Sequence, residues 1–394
     1  MQLQHRLIKR PSGTWIVDRD TCYVERDTLA MGWAVNLILV SISLFLILIV
    51  AEWALRWLPL PLLERVRQHQ SVGKQIDEVH PKGLYSLHPE IGWTLTPFFA
   101  GRFKKEGFDI SVQANSTGLR DHDYGEKTPG TFRILGLGDS FVFGWGVEKD
   151  QTFLKLLETK LNAQKTTSHF EVINAGIPGF GTYEALQLLK SAGLAYNPDL
   201  VVLAFYEGND YRNNGDAPRS RVIQEGYLKD LPKGKRPAWR QFLVGHSVLA
   251  ALVDARVGSV AEKRNFQSNL NKTESLFLEM KKILDERNIP LAVVFIPDQD
   301  PAFYDRPLLL QFYDRWVTGG IGPLEGRRML RSFCREHGIG FCALSKKFEN
   351  GAEAASLRLK DTHFNPKGHE SAAQEIFEFL KGEVLGQGEV TNDH

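Results

Sequence analysis

Residues 134–147 carry the sequence ILGLGDSFVFGWGV, in which an apolar run stops abruptly at Gly138-Asp139-Ser140. A short apolar run bounded by turn-forming residues is typical of a buried strand. Asp and Ser are both good helix N-caps, so a cap or a tight turn is one interpretation of the triplet. The other is a nucleophile exposed where a strand ends, with glycines that let the chain turn sharply around it.

Strands and helices alternate outward from this stretch. Five apolar runs are predicted strands, at residues 132–138, 170–176, 199–206, 291–297 and 339–345. Segments with helical periodicity follow them, at residues 151–164, 182–194, 269–288, 326–338 and 365–382. This alternation predicts an α/β domain over residues 131–382, with a central parallel sheet covered by helices on both faces. Insertions at 211–265 and 297–325 interrupt it, and residues 383–394 are a predicted flexible tail.

The N-terminal region has a different character. Residues 29–51 contain no charged side chain, and about 20 apolar residues suffice to cross a bilayer as a helix. A buried core helix and a cleaved signal peptide are the alternatives, but the run is long for both and lies far from Met1. More basic residues precede the run than follow it closely, which favours a cytoplasmic segment 1–28 and an outward-facing C-terminal part. Residues 52–130 are predicted to form a membrane-proximal linker and a small strand-rich segment.

The composition excludes several classes of protein. The 394 residues include 48 basic and 47 acidic side chains, a formal net charge of +1, so nothing points to nucleic acid. The three cysteines fit neither a disulfide scaffold nor a zinc site, although Cys334 and Cys342 could pair. Residues 216–240 are locally basic, which suits a solvated loop, or a lid that contacts acidic glycans or lipid headgroups.

Polar residues follow four of the predicted strands, where an open parallel sheet binds its ligands. They are Gly138-Asp139-Ser140, the stretch from Asn174 to Gly179, Gly208-Asn209-Asp210 and Asp361-Thr362-His363. A hydroxyl, a glycine amide, a carboxamide and an imidazole with a carboxylate are the parts of an acyl-transfer site. Each has a structural alternative as a cap, turn or loop residue. A dinucleotide fingerprint is excluded because it needs glycine at 141, where Phe141 stands.

The blocks GLGDSF, NAGIPGFGT, EGND and DTHFN resemble those of the SGNH hydrolases, also called GDSL esterases, over about residues 131–382. The resemblance implies a three-layer α/β/α sandwich similar to flavodoxin, and a serine esterase or acyltransferase. It implies Ser140 as nucleophile, His363 as base and Asp361 as its orienting acid. The amides of Ser140 and Gly179 and the Asn209 side chain would form the oxyanion hole.

Two departures from the family pattern affect these assignments. Glu207 stands where the third block has glycine, and Asp361 is two residues before His363 instead of three. In an extended backbone residues i and i+2 face the same way, so this pair can still cooperate. Asp298 or Asp300, after the fourth strand, could orient His363 instead. Asp139, Glu207 and Asp210 are candidate substrate-lining residues.

The expected function is a single-pass, membrane-anchored serine esterase acting on an ester, O-acetyl in the first instance, of a small molecule or an envelope polysaccharide. An O-acyltransferase with the same acyl-enzyme is the first alternative. A catalytically inactive binding module is the second. The resemblance implies no metal and no organic cofactor, and the protein partners are unknown.

Overall fold

The computed structural model describes residues 7–13, 15–17, 20–57, 80–164, 168–219, 221–230, 238–298, 323–349 and 351–384. They belong to two compact units, one of Met1–Ser71 with Pro237–Asp254 and one of Val72–Arg236 with Ala255–His394. The strands are β1 Leu7–Lys9, β2 Trp15–Val17, β3 Tyr85–His88, β4 Gly92–Leu95, β5 Ala100–Lys105, β6 Phe108–Gln113, β7 Thr131–Gly138, β8 His169–Gly176, β9 Leu200–Tyr206, β10 Arg221–Gln224, β11 Tyr227–Asp230, β12 Leu291–Ile296 and β13 Gly340–Ala343. The helices are α1 Asp20–Trp57, α2 Ser140–Phe143, α3 Phe153–Asn162, α4 Thr182–Ser191, α5 Asp210–Gly215, α6 Ala238–His246, α7 Val248–Asp285, α8 Pro323–Glu336, α9 Gly351–Ser356 and α10 Pro366–Val384.

The larger unit is built on a five-stranded sheet in the order β13-β12-β9-β7-β8, and all four of its pairings are parallel. Successive residues of a strand point to opposite faces, and β9 shows this directly. Val201, Leu203 and Phe205 belong to one core, whereas Val202 and Ala204 belong to the other. The predicted parallel sheet, buried on both faces, is confirmed.

Helices close each face of this sheet. Apolar side chains of α4, α7 and α8 complete the first core, and those of α3 and α10 complete the second. The architecture is therefore the expected three-layer α/β/α sandwich. Cys334 and Cys342 are both free, buried thiols within it.

Two antiparallel hairpins precede the sandwich in the chain. β3 pairs with β4, and β5 pairs with β6. Their inward-facing side chains, among them Trp93, Phe103 and Val112, belong to the same core as the first face of the sheet. This strand-rich segment is thus packed on the sandwich.

The described residues of the insertion 211–265 form helices and a hairpin, and the hairpin lies within residues 216–240, where a solvated loop is one interpretation of the sequence. The insertion contains α5, the β10–β11 hairpin and α6, and α7 begins at Val248 instead of near residue 269. No proline interrupts residues 248–285, so the helix can run on where the apolar periodicity fades. Most of the second insertion, including Asp300, lies outside the described residues, as do 58–79 and 385–394.

The smaller unit contains the β1–β2 hairpin, α1, and the part of the first insertion that carries α6. In α1, Gly32–Trp57 is a 26-residue stretch whose most apolar 18 residues have a mean hydropathy of 2.8, and none of those 18 is buried. By length and composition this helix can cross a membrane.

Candidate active site

The turn after β7 presents Ser140. Asp139 caps α2, its side chain accepting a hydrogen bond of 2.9 Å from the backbone N–H of Phe141, so the cap interpretation applies to Asp139. The helix ends after one turn at Gly144, which has a φ of +84° in the left-handed region. A Cβ at this position would lie 2.3 Å from Thr152 Cγ2, so only glycine fits. The Ser140 hydroxyl is left to interact with other groups.

His363, near the C-terminal end of the domain sequence, lies beside that hydroxyl. Its Nε2 lies 2.8 Å from Ser140 Oγ, across 223 residues of chain. On the other side of the ring, Asp361 Oδ1 lies 3.2 Å from Nδ1, at ion-pair distance but off the direction of a straight hydrogen bond. Such bonds often align only when substrate is bound. The three side chains expected to cooperate are therefore adjacent.

A strained turn holds Asp361 and His363 on the same side of the chain. Thr362, between them, has a φ of +74°, a conformation that a β-branched residue rarely adopts. Two hydrogen bonds close the turn: the Leu359 N–H donates to the carbonyl of His363 at 2.7 Å, and Arg358 donates to the carbonyl of Thr362 at 2.7 Å. The backbone strain is thus maintained by bonds on either side of the histidine.

Trp145 contacts both Asp361 and His363. Its indole N–H donates to Asp361 Oδ2 at 2.8 Å, and its ring stacks on the His363 ring with centroids 4.9 Å apart. Burial alone would raise the pKa of Asp361, but the His363 ring and the Trp145 N–H together hold that pKa below its ordinary value. Asp361 is therefore held ionised beside the imidazole.

Asp298, the alternative acid that the structure describes, has other hydrogen-bond partners. Asp298 accepts a hydrogen bond of 2.7 Å from the Tyr206 hydroxyl, and its backbone N–H donates to Glu207 Oε2 at 3.1 Å. This geometry favours Asp361 over Asp298 as the partner of His363.

The Asn209 side chain is hydrogen-bonded to Asp139, in the turn that carries Ser140. Its Nδ2 donates to Asp139 Oδ2 at 3.2 Å, while its buried Oδ1 has no partner among the described atoms. Gly179 lies in the loop after β8, and this loop is joined to the end of β7 because the Ile177 N–H donates to the Gly138 carbonyl at 3.1 Å. The structure thus joins Asn209 to the turn directly and Gly179 through its loop. Their role as oxyanion donors stays a prediction.

The three candidate substrate-lining acids are differently placed. Asp139 and Asp210 are almost fully buried, and Asp210 accepts a hydrogen bond of 2.9 Å from the Tyr206 N–H. Burial raises the pKa of both, and the neighbouring Asp139 charge raises that of Asp210 further. Their bonds favour a supporting role behind the site. Glu207 is half-buried, and burial raises its pKa to about 8.

Two functional candidates carried no signal in the sequence. Trp145 belongs to the quoted stretch, but nothing there distinguishes it from a core aromatic. Arg120 is fully buried and donates to the carbonyls of Phe143, Gly144, Val147 and Ser111 at 2.8 to 3.0 Å. It therefore fixes the chain that leads from Ser140 to Trp145. Over the part of the chain that the structure describes, no group of three or more His, Cys, Asp or Glu side chains is placed to hold a metal ion.

Known proteins show limited similarity to this chain. No protein-family model and no curated protein matches the chain. Among solved structures it is similar to the lipase Lip_vut3 from a goat rumen metagenome, with 14% identity over 63% of this chain and 97% of that one, at a TM-score of 0.41. It is also similar to the psychrotrophic esterase EstA from Pseudoalteromonas sp., with 16% identity over 64% and 98% and a TM-score of 0.37. An acetylxylan esterase from Geobacillus stearothermophilus has 12% identity over 69% and 99%, with a TM-score of 0.37. At such scores the similarity carries no weight for function, which rests on the side chains described above.

Proposed function

We propose that this protein is a serine esterase of the SGNH type, anchored in a membrane by α1. The observation that carries the proposal is the 2.8 Å contact between Ser140 Oγ and His363 Nε2, with Asp361 on the far side of the same ring. A serine hydroxyl is a weak nucleophile until an adjacent base takes its proton. A histidine whose second nitrogen faces a carboxylate is suited to that task.

The first half of the reaction forms an acyl-enzyme. His363 Nε2 takes the Ser140 proton as Oγ bonds to the ester carbonyl carbon, and Asp361 stabilises the resulting imidazolium. The carbonyl oxygen becomes an oxyanion, which the N–H groups of Ser140 and Gly179 and the Asn209 amide would stabilise. When the tetrahedral intermediate collapses, the C–O bond to the alcohol breaks and His363 gives its proton to the leaving oxygen.

The second half releases the acyl group. A water molecule gives a proton to His363 as its oxygen attacks the acyl carbon. Collapse of the second tetrahedral intermediate breaks the bond between that carbon and Ser140 Oγ, returns the proton from His363 to Oγ and releases the carboxylic acid. In an O-acyltransferase a sugar hydroxyl would take the place of water, with the same residues in the same roles. We propose hydrolysis of an O-acetyl ester on an envelope polysaccharide, and keep transfer as the alternative.

The proposed location is supported by α1 and its flanks. The excess of basic residues before the apolar stretch supports a cytoplasmic N-terminus, with the larger unit in the periplasm or outside the cell. A reporter that is active only in an oxidising compartment, fused after residue 394, should be active. Activity of a cytoplasm-only reporter at the same position would contradict this orientation.

The activity itself is tested with the full-length protein and p-nitrophenyl acetate. Hydrolysis should be measurable in the wild type and fall to background in Ser140→Ala, and Asp298→Asn should retain most of it. Adding an O-acetylated or unacetylated glycan separates the two chemistries, because a hydrolase releases free acetate and a transferase forms an acetylated sugar. No turnover of any ester by folded wild-type protein would contradict the proposal.

A further inference from the structure

Helix α6, within the smaller unit, exposes a stripe of large apolar side chains. Trp239, Phe242 and Leu243 are 66%, 61% and 45% exposed. Residues at i, i+3 and i+4 lie on one face of a helix, so these three form a continuous surface. Exposed aromatic patches of this kind mark contact with a protein or a membrane.

The end of α1 holds the turn that follows α6. The Glu52 carboxylate accepts hydrogen bonds from the Ser247 hydroxyl at 2.9 Å and from the backbone N–H groups of Val248 and Leu249 at 2.9 and 3.0 Å. Arg56, one turn further along α1, donates to the carbonyl of His246 at 2.8 Å. Glu52 thus caps the N-terminus of α7 from a distant part of the chain.

These hydrogen bonds fix where the C-terminal end of α6 lies along the axis of α1. Residue 40 is the midpoint of the uncharged stretch 29–51, and Glu52 lies twelve residues beyond it. At about 1.5 Å per residue, Glu52 is about 18 Å from the midpoint. The hydrocarbon core of a bilayer extends only about 15 Å from its centre. The turn after α6 is therefore level with the membrane interface.

The neighbouring surface of α1 has the composition of that interface. Trp53 and Trp57 are 65% and 74% exposed, with ring centroids 6.4 Å apart. Tryptophan is enriched where acyl chains meet headgroups. Trp239 and Phe242 are further exposed aromatic side chains, and the last residue of their helix, His246, is hydrogen-bonded to the same end of α1.

We infer that α6 lies in the plane of the membrane interface, with Trp239, Phe242 and Leu243 inserted among the acyl chains below the headgroups. The partner is the lipid bilayer itself, and α6 is a second attachment beside α1. The inference rests on the membrane-anchored part of the proposed function, and it does not depend on the esterase chemistry. A nine-residue helix, about 13 Å long, is too short to span but suited to lie flat.

Nitroxide labels in the full-length protein test this in phosphatidylcholine vesicles. In a Cys22→Ser background, single cysteines are introduced as Trp239→Cys and Leu243→Cys on the stripe, and as Arg240→Cys, about 100° around the same helix from Trp239. Leu44→Cys, in the apolar part of α1, is the deep reference, and Lys104→Cys, exposed on β5, is the aqueous reference. Collisions with oxygen, which enters lipid, and with a water-soluble nickel chelate are measured by electron paramagnetic resonance.

We expect labels at 239 and 243 to collide with the nickel chelate several-fold less than the label at 104, and with oxygen several-fold more. The label at 240 should be more accessible to the chelate than either. Aqueous behaviour at 239 and 243, with a deep label at 44, would overturn the inference and leave the anchor intact. An aqueous label at 44 would overturn both. Labels at 239 and 243 shielded from both reagents would also overturn the inference, because they would show that the stripe is buried against protein.

Discussion

The two oxygens of Asp361 have different partners, and this predicts a specific result for Asp361→Asn. Oδ2 accepts the Trp145 indole N–H at 2.8 Å, and Oδ1 faces His363 Nδ1 at 3.2 Å. An asparagine can accept the indole N–H only with its carbonyl oxygen. Its NH₂ group must then face Nδ1 and donate to it, which forces the proton onto Nε2. In that tautomer His363 cannot take the Ser140 proton.

The expected loss of kcat in Asp361→Asn is therefore large, and its size depends on the indole N–H of Trp145. A wrong histidine tautomer costs about 10⁴ in kcat in the Ser-His-Asp template. Trp145→Phe alone removes one charge-assisted hydrogen bond, about 1.5 kcal/mol, while keeping an aromatic ring against His363. Removed from the stabilisation of the transition state, this free energy corresponds to a loss of about tenfold in kcat. In the double variant the asparagine is free to turn its oxygen toward Nδ1, so the double variant should be about tenfold faster than Asp361→Asn.

The assay is kcat/KM for p-nitrophenyl acetate with all four proteins, after thermal melting has shown that each is folded. Asp298→Asn serves as the matched control, because its carboxylate contacts Tyr206. Activity in the double variant equal to the product of the two single losses would refute the tautomer argument. A mild effect of Asp361→Asn would refute the assignment of the acid itself.

Three further substitutions test the surroundings of the site. Arg120→Gln should lower the free energy of unfolding by about 3 kcal/mol or more in guanidinium denaturation, because buried carbonyls lose their donor, and a change below about 1 kcal/mol would contradict that role. Glu207 has a pKa of about 8 in the folded protein against 4.5 ordinarily, so the folded state binds more protons between these values and wild-type stability should fall as the pH rises through that window. Melting temperatures of Glu207→Gln should lack this slope, and equal slopes would show that another group titrates. Asn209→Ala should lower kcat by about 10²–10³ while the acyl-enzyme still forms, and unchanged kcat would remove Asn209 from the oxyanion hole.

Much of the fold follows from local patterns in the sequence. β9 and β12 are buried on both faces, and their apolar runs show it directly. The position of Ser140 was also predictable, because an apolar strand that runs into Gly-Asp-Ser places the serine just past its carboxyl end. The order of polar residues after successive strands then brings the candidate site together, since parallel strands end at one edge of the sheet.

Contacts between distant residues could not be predicted in this way. The first turn of α7 has a local cap, Ser247, whose hydroxyl accepts a hydrogen bond from the Ala250 N–H at 3.0 Å. It is also bonded to Glu52, nearly 200 residues away in the chain, and no local pattern indicates that contact. Arg120 looks like any surface cation until its carbonyl partners are placed around it. Trp145 acquires its role only because the strained turn at Thr362 brings Asp361 to its indole nitrogen.

Identification of the nucleophile is the most direct test of the central claim. Folded full-length protein is treated with a serine-directed fluorophosphonate and digested, and the modified peptide is located by mass spectrometry. We expect one modification, on the peptide that contains Ser140, and none on Ser140→Ala, whose melting temperature should be close to that of the wild type. Undiminished labelling of folded Ser140→Ala, or a modification on another serine, would contradict the account.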